Sequence, residues 1–324
     1  MSDNISRNRV CLVGTGYMAN EYAKVLAAQK VNYFVIGRSL CSCNEFICKT
    51  GIEKVSSGGV DKWLKTKPDV PDVAIVAVSV EELACVTLAL LKYGVKRILV
   101  EKPAGISTFE INNIHIAAKK INAKVFVAYN RRYYAATQKA LEVINSDGGV
   151  KSFDFEFTEW SHEIEVLKNK VEVKKAWFLA NSTHVVDLAF FLGGKPRRFS
   201  SYIAGSLSWH PSASAFAGAG VTEEGALFSY HANWAAPGRW GVEILTKNHR
   251  LILRPLEQLH IQKIGSVGID RIEIDDQYDV QFKPGLYKQV EVFLSDKSSC
   301  RLATIEEHNS MVERVFSKMC SNAN

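Results

Sequence analysis

A glycine-containing turn close to the start of the chain is the feature that most constrains its fold. Residues 9–19 read Arg-Val-Cys-Leu-Val-Gly-Thr-Gly-Tyr-Met-Ala, so an apolar run enters a Gly-x-Gly-x-x-Ala turn at Gly14 and Gly16. Apolar residues at helical spacing follow, which predicts a strand, a turn and a helix in that order. In such a unit the first glycine permits the sharp turn, and the second lets the backbone approach a pyrophosphate. The segment therefore predicts the phosphate-binding turn of a dinucleotide-binding domain.

Short apolar runs alternate with amphipathic stretches up to about residue 130. This alternation predicts a parallel sheet with helices on both faces. The expected strands are Val10–Val13, Tyr33–Ile36, Val73–Val78, Arg97–Val100 and Lys124–Ala128, and the expected helices are Ala19–Gln29, Glu81–Tyr93 and Ser107–Asn122. Gly94 stands where a helix C-cap is expected, and Ser107 with Glu110 resembles a capping box. Residues 1–128 are thus predicted to form a doubly wound α/β domain of the Rossmann type.

The pattern changes after about Val150. Phe153, Phe155 and Phe157 alternate with polar residues, which is typical of an antiparallel strand with one solvated face. Further strands are expected at Arg198–Leu207, Gly225–Trp234, Gly241–Thr246 and Arg250–Leu256, and helices at Ser182–Leu192 and Thr304–Met319. We interpret the small-residue-rich segment Ala213–Gly220 as a mobile loop. Residues 129–324 therefore predict an α+β domain with an open, mainly antiparallel sheet.

Composition narrows the class of protein. At 324 residues and 47% hydrophobic, the chain can bury the cores of two domains. No apolar run reaches the ~18 residues that a membrane-spanning helix needs, and Met1–Arg9 has no apolar signal region. The 7 cysteines, an odd number, suit a reducing compartment. We therefore expect a cytoplasmic protein that does not associate with membranes.

Charge and metal-ligand spacing argue against two further classes. The net charge of +6 is scattered, and the densest basic stretch, Lys168–Lys175, contains Glu172 and no aromatic residue, so we expect no nucleic-acid partner. Cys41, Cys43 and Cys48 lie close together but lack a second cluster of metal-binding residues. We therefore expect no metal site.

The end of the second expected strand bears on the choice of nicotinamide cofactor. Domains that prefer NAD usually place an acid there, about 20 residues after the glycines, on the ribose 2′-hydroxyl. Residues 35–39 instead read Val-Ile-Gly-Arg-Ser, and the nearest acid downstream is Glu45. Gly37 would leave room, while the Arg38 guanidinium and the Ser39 hydroxyl suit a 2′-phosphate. The pattern favours NADP, with NAD as the alternative if Arg38 is an ordinary loop arginine.

The fourth expected strand leads directly into Glu101-Lys102-Pro103. The carboxyl ends of parallel strands face the ligand crevice of a doubly wound sheet. An ammonium group there can hydrogen-bond the reacting oxygen of a substrate and stabilise negative charge that develops on it. Lys102 is therefore a candidate catalytic residue, and an ordinary surface lysine is the alternative.

Several of these features together resemble the Gfo/Idh/MocA oxidoreductases. They are the glycine turn, the Glu101-Lys102-Pro103 element, the segment Tyr129-Asn-Arg-Arg-Tyr133 and the antiparallel C-terminal half. The resemblance implies NAD(P)-linked oxidation or reduction of a sugar, sugar derivative or cyclitol. It also implies a homodimer or homotetramer formed through the C-terminal sheet.

The resemblance also implies roles for individual residues. Lys102 corresponds to the catalytic-site lysine, and Asn130 is expected near the nicotinamide. Together with the glycine turn and the strand ends, the expected cofactor contacts are Gly14, Thr15, Gly16, Tyr17, Met18, Arg38, Ser39, Val78, Ser79, Glu101, Lys102 and Asn130.

A second catalytic group is expected in Asn181-Ser-Thr-His184-Val-Val-Asp187. If Asn181 or Ser182 caps the helix, His184 lies in its first turn, where the helix dipole lowers the histidine pKa. A neutral imidazole can accept a hydroxyl proton as hydride leaves, and return it in reduction. Asp187 shares roughly the same helix face and could orient the ring or contact substrate. The alternative is a buried structural histidine.

The chain departs from the family at one site position. The family pattern has an aspartate four residues before the histidine, where this chain has Ala180. This alanine supports one rival to a simple dehydrogenase, a catalytically silent dinucleotide-binding sensor. A separate alternative is an enzyme that uses bound cofactor for transient internal redox.

Two other basic segments are candidates for the substrate site. Arg131 and Arg132 could bind an anionic substrate group or be surface arginines. The segment Pro237-Gly-Arg239-Trp240 could line the pocket, form an oligomer interface or be a structural turn.

Overall fold

The computed structural model describes residues 9–295 and 301–322, so the polar N-terminal segment lies outside it except for Arg9. The chain divides into two compact units, Met1–Tyr129 with Val280–Asn309 and Asn130–Asp279 with Ser310–Asn324. The expected domains, residues 1–128 and 129–324, differ from these units because the chain returns to the first unit after Asp279.

The first unit contains a parallel sheet of short apolar strands. They are β1 (Val10–Val13), β2 (Tyr33–Ile36), β3 (Val55–Ser56), β4 (Val73–Val76), β5 (Arg97–Val100) and β6 (Lys124–Val127). Their order is β6-β5-β4-β1-β2-β3, and Ala303–Thr304 adds an antiparallel edge strand beside β6. The strand order reverses between β1 and β4, which is the point where a doubly wound sheet binds ligands. The predicted Rossmann class is confirmed, while the short β3 was not expected.

Helices connect these strands. They are α1 (Tyr17–Ala28), α2 (Leu40–Thr50), α3 (Gly59–Lys65), α4 (Leu83–Tyr93) and α5 (Thr108–Lys120). A 3-10 turn, Val80–Glu82, precedes α4, and Leu286–Leu294 is a further helix of this unit. Gly94 ends α4 in the left-handed conformation, with φ of 108°. The Ser107 hydroxyl caps α5 by accepting a hydrogen bond of 3.2 Å from the Glu110 amide. Both predicted helix caps are confirmed, whereas α2 and α3 were not predicted.

The second unit contains an open sheet. Its strands are β7 (Ser152–Glu156), β8 (Pro196–Ala204), β9 (Ala215–Thr222), β10 (Leu227–Asn233), β11 (Gly241–Leu245), β12 (His249–Leu253), β13 (His260–Lys263) and β14 (Asp270–Arg271). They lie in the order β14-β13-β12-β11-β7-β10-β9-β8. Neighbours pair antiparallel, except that β10 and β7 are parallel. The predicted mainly antiparallel sheet is confirmed.

The interpretation of Ala213–Gly220 as a mobile loop is wrong, because most of it forms β9. A Cβ added at Gly218 would lie 2.4 Å from the Tyr230 ring of β10, and one at Gly220 would lie 2.3 Å from Cβ of Phe199 in β8. The small residues therefore make room for large aromatic side chains on the neighbouring strands.

Helices of the second unit pack on this sheet or connect its strands. They are α6 (Ala135–Ser146), α7 (Ser161–Glu165), α8 (Val171–Lys175), α9 (Thr183–Gly193), and short helices at Gln277–Gln281 and Ser317–Met319; Ile305–Met311 and the π-helical Val312–Phe316 lead into the last one. α9 packs against β7, with the Phe190 ring 5.9 Å from that of Phe153 and 5.4 Å from that of Phe155. In the part of the chain that the structure describes, no helix is long and apolar enough to cross a membrane.

Candidate functional site

A cavity of about 820 Å³ lies in the first unit at the carboxyl ends of β1, β2 and β4. Its walls come from the glycine turn, the segments that follow β2 and β4, and parts of α2, α3 and α4. Of the residues expected to contact the cofactor, the cavity is lined by Gly14, Thr15, Gly16, Tyr17, Met18, Arg38, Ser39, Val78 and Ser79. The glycine turn and the two strand ends singled out in the sequence therefore lie in the wall of one cavity.

The two glycines of the turn differ in their surroundings. Gly14 has φ of 124°, and a Cβ added there would lie 2.1 Å from the carbonyl oxygen of Ala77, just beyond β4. A Cβ added at Gly16 would meet no atom of the described chain within 4 Å. Gly14 thus permits the contact between neighbouring strand ends, and Gly16 keeps the start of α1 open toward the cavity. The first amides of α1 have no side-chain cap.

The segment after β2 places polar groups on the cavity wall. The Arg38 side chain is 79% exposed, and its Nη1 lies 3.9 Å from Oε1 of Glu82. The Ser39 hydroxyl caps α2 by accepting from the Ser42 amide at 3.1 Å. The Thr15 hydroxyl donates to the Ser42 hydroxyl at 3.0 Å, so a chain of hydroxyl groups lies beside Arg38.

Gly37 itself lines the cavity, and a side chain at this position would be crowded. A Cβ there would lie 2.4 Å from Sγ of Cys43 and 2.7 Å from Cγ2 of Thr15. Further lining residues lie on segments that carry no motif and were not expected, among them Ser42, Gly58, Gly59, Asp61, Glu82 and Cys85. The paired glycines before α3 were the available signal for part of this wall.

The Glu101-Lys102-Pro103 turn follows β5 in the first unit, and none of its residues lines the cavity. The Tyr22 hydroxyl of α1 donates to Oε1 of Glu101 at 2.7 Å. Burial raises the pKa of Glu101 above its ordinary value, against the opposing effects of Tyr22 and Lys102. Burial and the Glu101 carboxylate raise the pKa of Tyr22. This hydrogen bond fixes the Glu101 side of the turn to the helix that follows the glycines.

The other side of the turn is held by a buried histidine. The Lys102–Pro103 peptide bond is cis. Nε2 of His308 donates to the Pro103 carbonyl at 2.9 Å, and its Nδ1 lies 3.3 Å from the Tyr129 hydroxyl. Lys102 is therefore carried by a backbone segment that is fixed at both neighbouring residues.

The remaining expected site residues belong to the second unit. Asn130 is buried at the start of a 3-10 turn, Asn130–Tyr133. In the same turn Arg132 binds Asp187 through two hydrogen bonds, Nε to Oδ2 at 2.8 Å and Nη2 to Oδ1 at 2.6 Å. The side chains of Arg132 and Asp187 are 12% and 5% exposed. Both carboxylate oxygens of Asp187 therefore accept from Arg132, and each keeps a further lone pair, so the role of Asp187 toward His184 or substrate stays a prediction.

His184 does not lie in the first turn of a newly started helix, as expected from the sequence. A π-helical turn, Phe178–Ser182, leads directly into α9, and neither Asn181 nor Ser182 is an N-cap through its side chain. The expected lowering of the His184 pKa by a free helix N-terminus therefore loses its basis.

Glu159 explains why the expected caps are absent. Its side chain is 2% exposed. The Ser182 hydroxyl donates to it at 2.7 Å, and the Asn181 amide donates to both carboxylate oxygens at 3.1 and 3.2 Å. Those side chains bind a carboxylate just beyond β7 rather than the backbone of α9.

Trp240 brings two predicted segments together. Its ring centroid lies 6.2 Å from that of His184. The Cζ atoms of Arg131 and Arg239 lie 4.7 and 4.8 Å from the Trp240 centroid. The segment Pro237-Gly-Arg239-Trp240 is therefore adjacent to the candidate histidine.

Comparison with known families identifies the first unit. Residues 8–129 match the family model GFO_IDH_MocA, an oxidoreductase family with an NAD-binding Rossmann fold. Residues 8–129 belong to the Gfo/Idh/MocA oxidoreductase family. The match includes the glycine turn and the Glu101-Lys102-Pro103 element, and it confirms the predicted family.

Solved structures resemble the chain over nearly its whole length. Levoglucosan dehydrogenase in complex with NADH has 18% identity and a TM-score of 0.77, with 96% of this chain and 95% of that chain covered. An NAD-binding oxidoreductase from Klebsiella pneumoniae has 15% identity and a TM-score of 0.75, with 97% and 96% covered. UDP-N-acetylglucosamine 3-dehydrogenase GnnA from Acidithiobacillus ferrooxidans has 14% identity and a TM-score of 0.71, with 96% of each covered. At these identities the likeness establishes the fold alone.

No curated protein matches the sequence. Within residues 9–295 and 301–322, no cluster of His, Cys, Asp and Glu is arranged to hold a metal ion.

The Arg132–Asp187 pair generates a prediction about stability. Asp187→Asn should lower the free energy of unfolding by about 3–5 kcal/mol, because it leaves a buried guanidinium without its charge partner. Urea unfolding followed by circular dichroism measures this change. Glu142→Gln removes one charge from an exposed pair with Lys139 and should change stability by less than about 1 kcal/mol. An Asp187→Asn variant as stable as this control would show that the pair is not structural.

Proposed function

We propose that this chain is an NADP-dependent oxidoreductase that exchanges a hydride between nicotinamide and a secondary hydroxyl or keto group of a sugar, sugar derivative or cyclitol. The observation that carries the proposal is the cavity of about 820 Å³, built on the glycine turn of an oxidoreductase-family domain. Ligand cavities typically have about 300–1,000 Å³. A sugar-like substrate is proposed because the similar folds include levoglucosan dehydrogenase and UDP-N-acetylglucosamine 3-dehydrogenase.

The glycine turn fits the pyrophosphate of a dinucleotide. The position above Gly16 is open, and α1 begins without a side chain on its first amides. Those amides and the positive end of the helix dipole favour an anion. When bound, the nicotinamide supplies the hydride exchange.

The groups after β2 favour NADP over NAD. Arg38 is largely exposed and its ion pair with Glu82 is long, so the guanidinium can turn toward a 2′-phosphate at little cost. Ser39 and Thr15 add hydroxyl donors on the same wall. NAD is the alternative, because Glu45, Asp61 and Glu82 also line the cavity and a carboxylate can bind a ribose 2′-hydroxyl.

The proposed chemistry divides between two residues. Lys102 hydrogen-bonds the reacting oxygen and stabilises its developing charge. His184 accepts the hydroxyl proton during oxidation and returns it during reduction. Asp187, expected as a third catalytic group, acts by holding Arg132 in place.

We also propose a homodimer or homotetramer that forms through the second sheet. Residues along β10 alternate between exposed and buried, and Leu227 is one of the exposed residues. Tyr202 on β8 of the same sheet is also exposed. Light scattering of the purified protein at micromolar concentration should give a dimeric or tetrameric mass. A monomeric mass would contradict this part of the proposal.

The role of Arg38 is tested by binding of the reduced cofactors. Arg38→Ala should weaken NADPH binding about 10- to 100-fold, since it removes charge-assisted hydrogen bonds worth about 1.5–3 kcal/mol. NADH binding should change less than about 3-fold, because NADH has no 2′-phosphate. Fluorescence titration measures both. Lys65→Ala removes the same charge from the exposed end of α3 and serves as the control. Equal losses for NADPH and NADH would refute the 2′-phosphate assignment.

The catalytic assignment is tested by turnover across a panel of sugars, sugar acids and cyclitols. The wild type should change the reduced-nicotinamide absorbance with at least one of them. Lys102→Ala should lower kcat by about 100- to 1,000-fold through loss of a donor to the reacting oxygen. His184→Asn should lower it by about 100- to 10,000-fold through loss of proton exchange.

Cofactor binding provides the control for these variants. NADPH affinity should stay within about 3-fold of the wild type in His184→Asn and fall far less than kcat in Lys102→Ala, and His115→Asn, on α5 and outside the cavity lining, should leave turnover unchanged. Tight NADPH binding without turnover of any compound would instead support the silent sensor. Product formation without net change in NADPH would support internal redox.

A further inference from the structure

Arg131 has an unusual environment for an arginine inside a folded domain. Its guanidinium lies over the Trp240 ring, with Cζ 4.7 Å from the centroid, and near the Tyr134 ring at 5.9 Å. Its Nε atom is buried and has no hydrogen-bond partner within the described chain. Buried polar atoms in native proteins are nearly always hydrogen-bonded, so this donor requires a partner that the described chain does not supply.

Arg132, the next residue in the same turn, has carboxylate partners for its guanidinium nitrogens. Arg132 is bound on two nitrogens by Asp187 and lies over the Phe191 ring. Arg131 makes no ion pair with any carboxylate among the described residues. The two neighbouring arginines therefore differ in charge balance: Arg132 is neutralised within the protein, and Arg131 keeps its positive charge.

Arg239 adds a second positive charge beside the same tryptophan. Its Cζ lies 4.8 Å from the Trp240 centroid and 4.5 Å from the Trp160 centroid. Its Nη1 is 3.9 Å from Oε2 of Glu159, and its side chain is 47% exposed. The Glu159 carboxylate already accepts hydrogen bonds from Asn181 and Ser182, so it is shared among several donors.

The charges around Trp240 do not cancel. Arg239 lies near Glu159, and Arg132 is paired with Asp187. Glu257 and Asp279 act electrostatically on Tyr134 beside Arg131, but neither forms an ion pair with Arg131 among the described residues. The remaining positive charge lies around an aromatic face next to the His184 ring. A guanidinium held by stacking is preorganised for carboxylate or phosphate, which it binds through paired hydrogen bonds.

We propose that Arg131 binds an anionic group of the substrate, a carboxylate or a phosphate, and that Arg239 strengthens this binding through its charge. The inference rests on the proposed function, since it assigns the substrate of that reaction to the acidic or phosphorylated sugars. The buried Trp240 ring holds both guanidinium groups in place. Neutral sugars and cyclitols then lack the interaction that Arg131 provides.

Calorimetric titration of the NADP⁺-saturated protein tests the proposal. The probes are D-glucuronate for a carboxylate, D-glucose 6-phosphate and UDP-glucose for a phosphate, and D-glucose and myo-inositol as neutral compounds. At least one anionic probe should bind 10-fold or more tighter than D-glucose, and its affinity should fall as salt is raised. Preferential binding of D-glucuronate would identify the anion as a carboxylate, and preferential binding of D-glucose 6-phosphate or UDP-glucose would identify it as a phosphate.

The variants assign this binding to particular residues. Arg131→Gln should lower the affinity for the anionic probe about 10- to 100-fold. The affinities for neutral sugars and for NADPH should stay within about 3-fold of the wild type. Arg131→Lys should recover part of the loss, because it restores the charge without the guanidinium fork. Arg239→Gln should have a smaller effect, and Arg197→Gln, an exposed arginine at the start of β8, should have none.

Each of these binding results would overturn the proposal: neutral and anionic probes binding equally, no saturable binding of any anionic probe, or a loss of NADPH affinity in Arg131→Gln. The last would make Arg131 a cofactor ligand. Arg131-dependent anion binding without turnover would uphold this inference and remove the proposed oxidoreductase activity. Turnover of neutral sugars unaffected by Arg131→Gln would uphold the activity and remove this inference.

Discussion

The close approach of Gly14 to the Ala77 carbonyl is the constraint on which the first unit depends. With 2.1 Å between that oxygen and an added Cβ, and φ of 124°, only glycine allows the ends of β1 and β4 to lie this close. This contact places the start of α1 at the switch point of the sheet, where the cavity lies. Tyr22 on the same helix then reaches Glu101, so the position of α1 also bears on the turn that carries Lys102.

Local signals account for what the sequence predicted correctly. The apolar strands, the Gly94 cap, the Ser107 cap and the glycine turn each depend on residues within a few positions of one another. A parallel sheet buried on both sides makes its strands continuously apolar, so they can be recognised without knowledge of their partners. Most of the cavity wall lies at the ends of these strands and was located for that reason.

The errors have long-range causes. A run of small residues reads as a loop unless Tyr230 and Phe199 are known to lie over it, and those residues belong to other strands. The start of the helix before His184 was misplaced because Asn181 and Ser182 bind Glu159, more than 20 residues earlier. The binding of both Asp187 oxygens by Arg132, from a turn 55 residues away in sequence, was likewise not visible in the helical spacing of Asp187 and His184. Helical spacing cannot reveal such competition among hydrogen-bond acceptors.

The carboxylates of the second unit bear on the alanine at position 180, where the resemblance led us to expect an aspartate. Ala180 is buried, and the two residues that follow it donate hydrogen bonds to Glu159. A carboxylate at position 180 would directly precede the two residues that bind this buried charge, and like charges close together disfavour ionisation of both. Arg132 balances Asp187, Arg239 lies 3.9 Å from Glu159, and Arg131 has no carboxylate partner among the described residues. An alanine at position 180 adds no further carboxylate to this segment, and the charge of Arg131 is what would distinguish an acidic substrate from a neutral one.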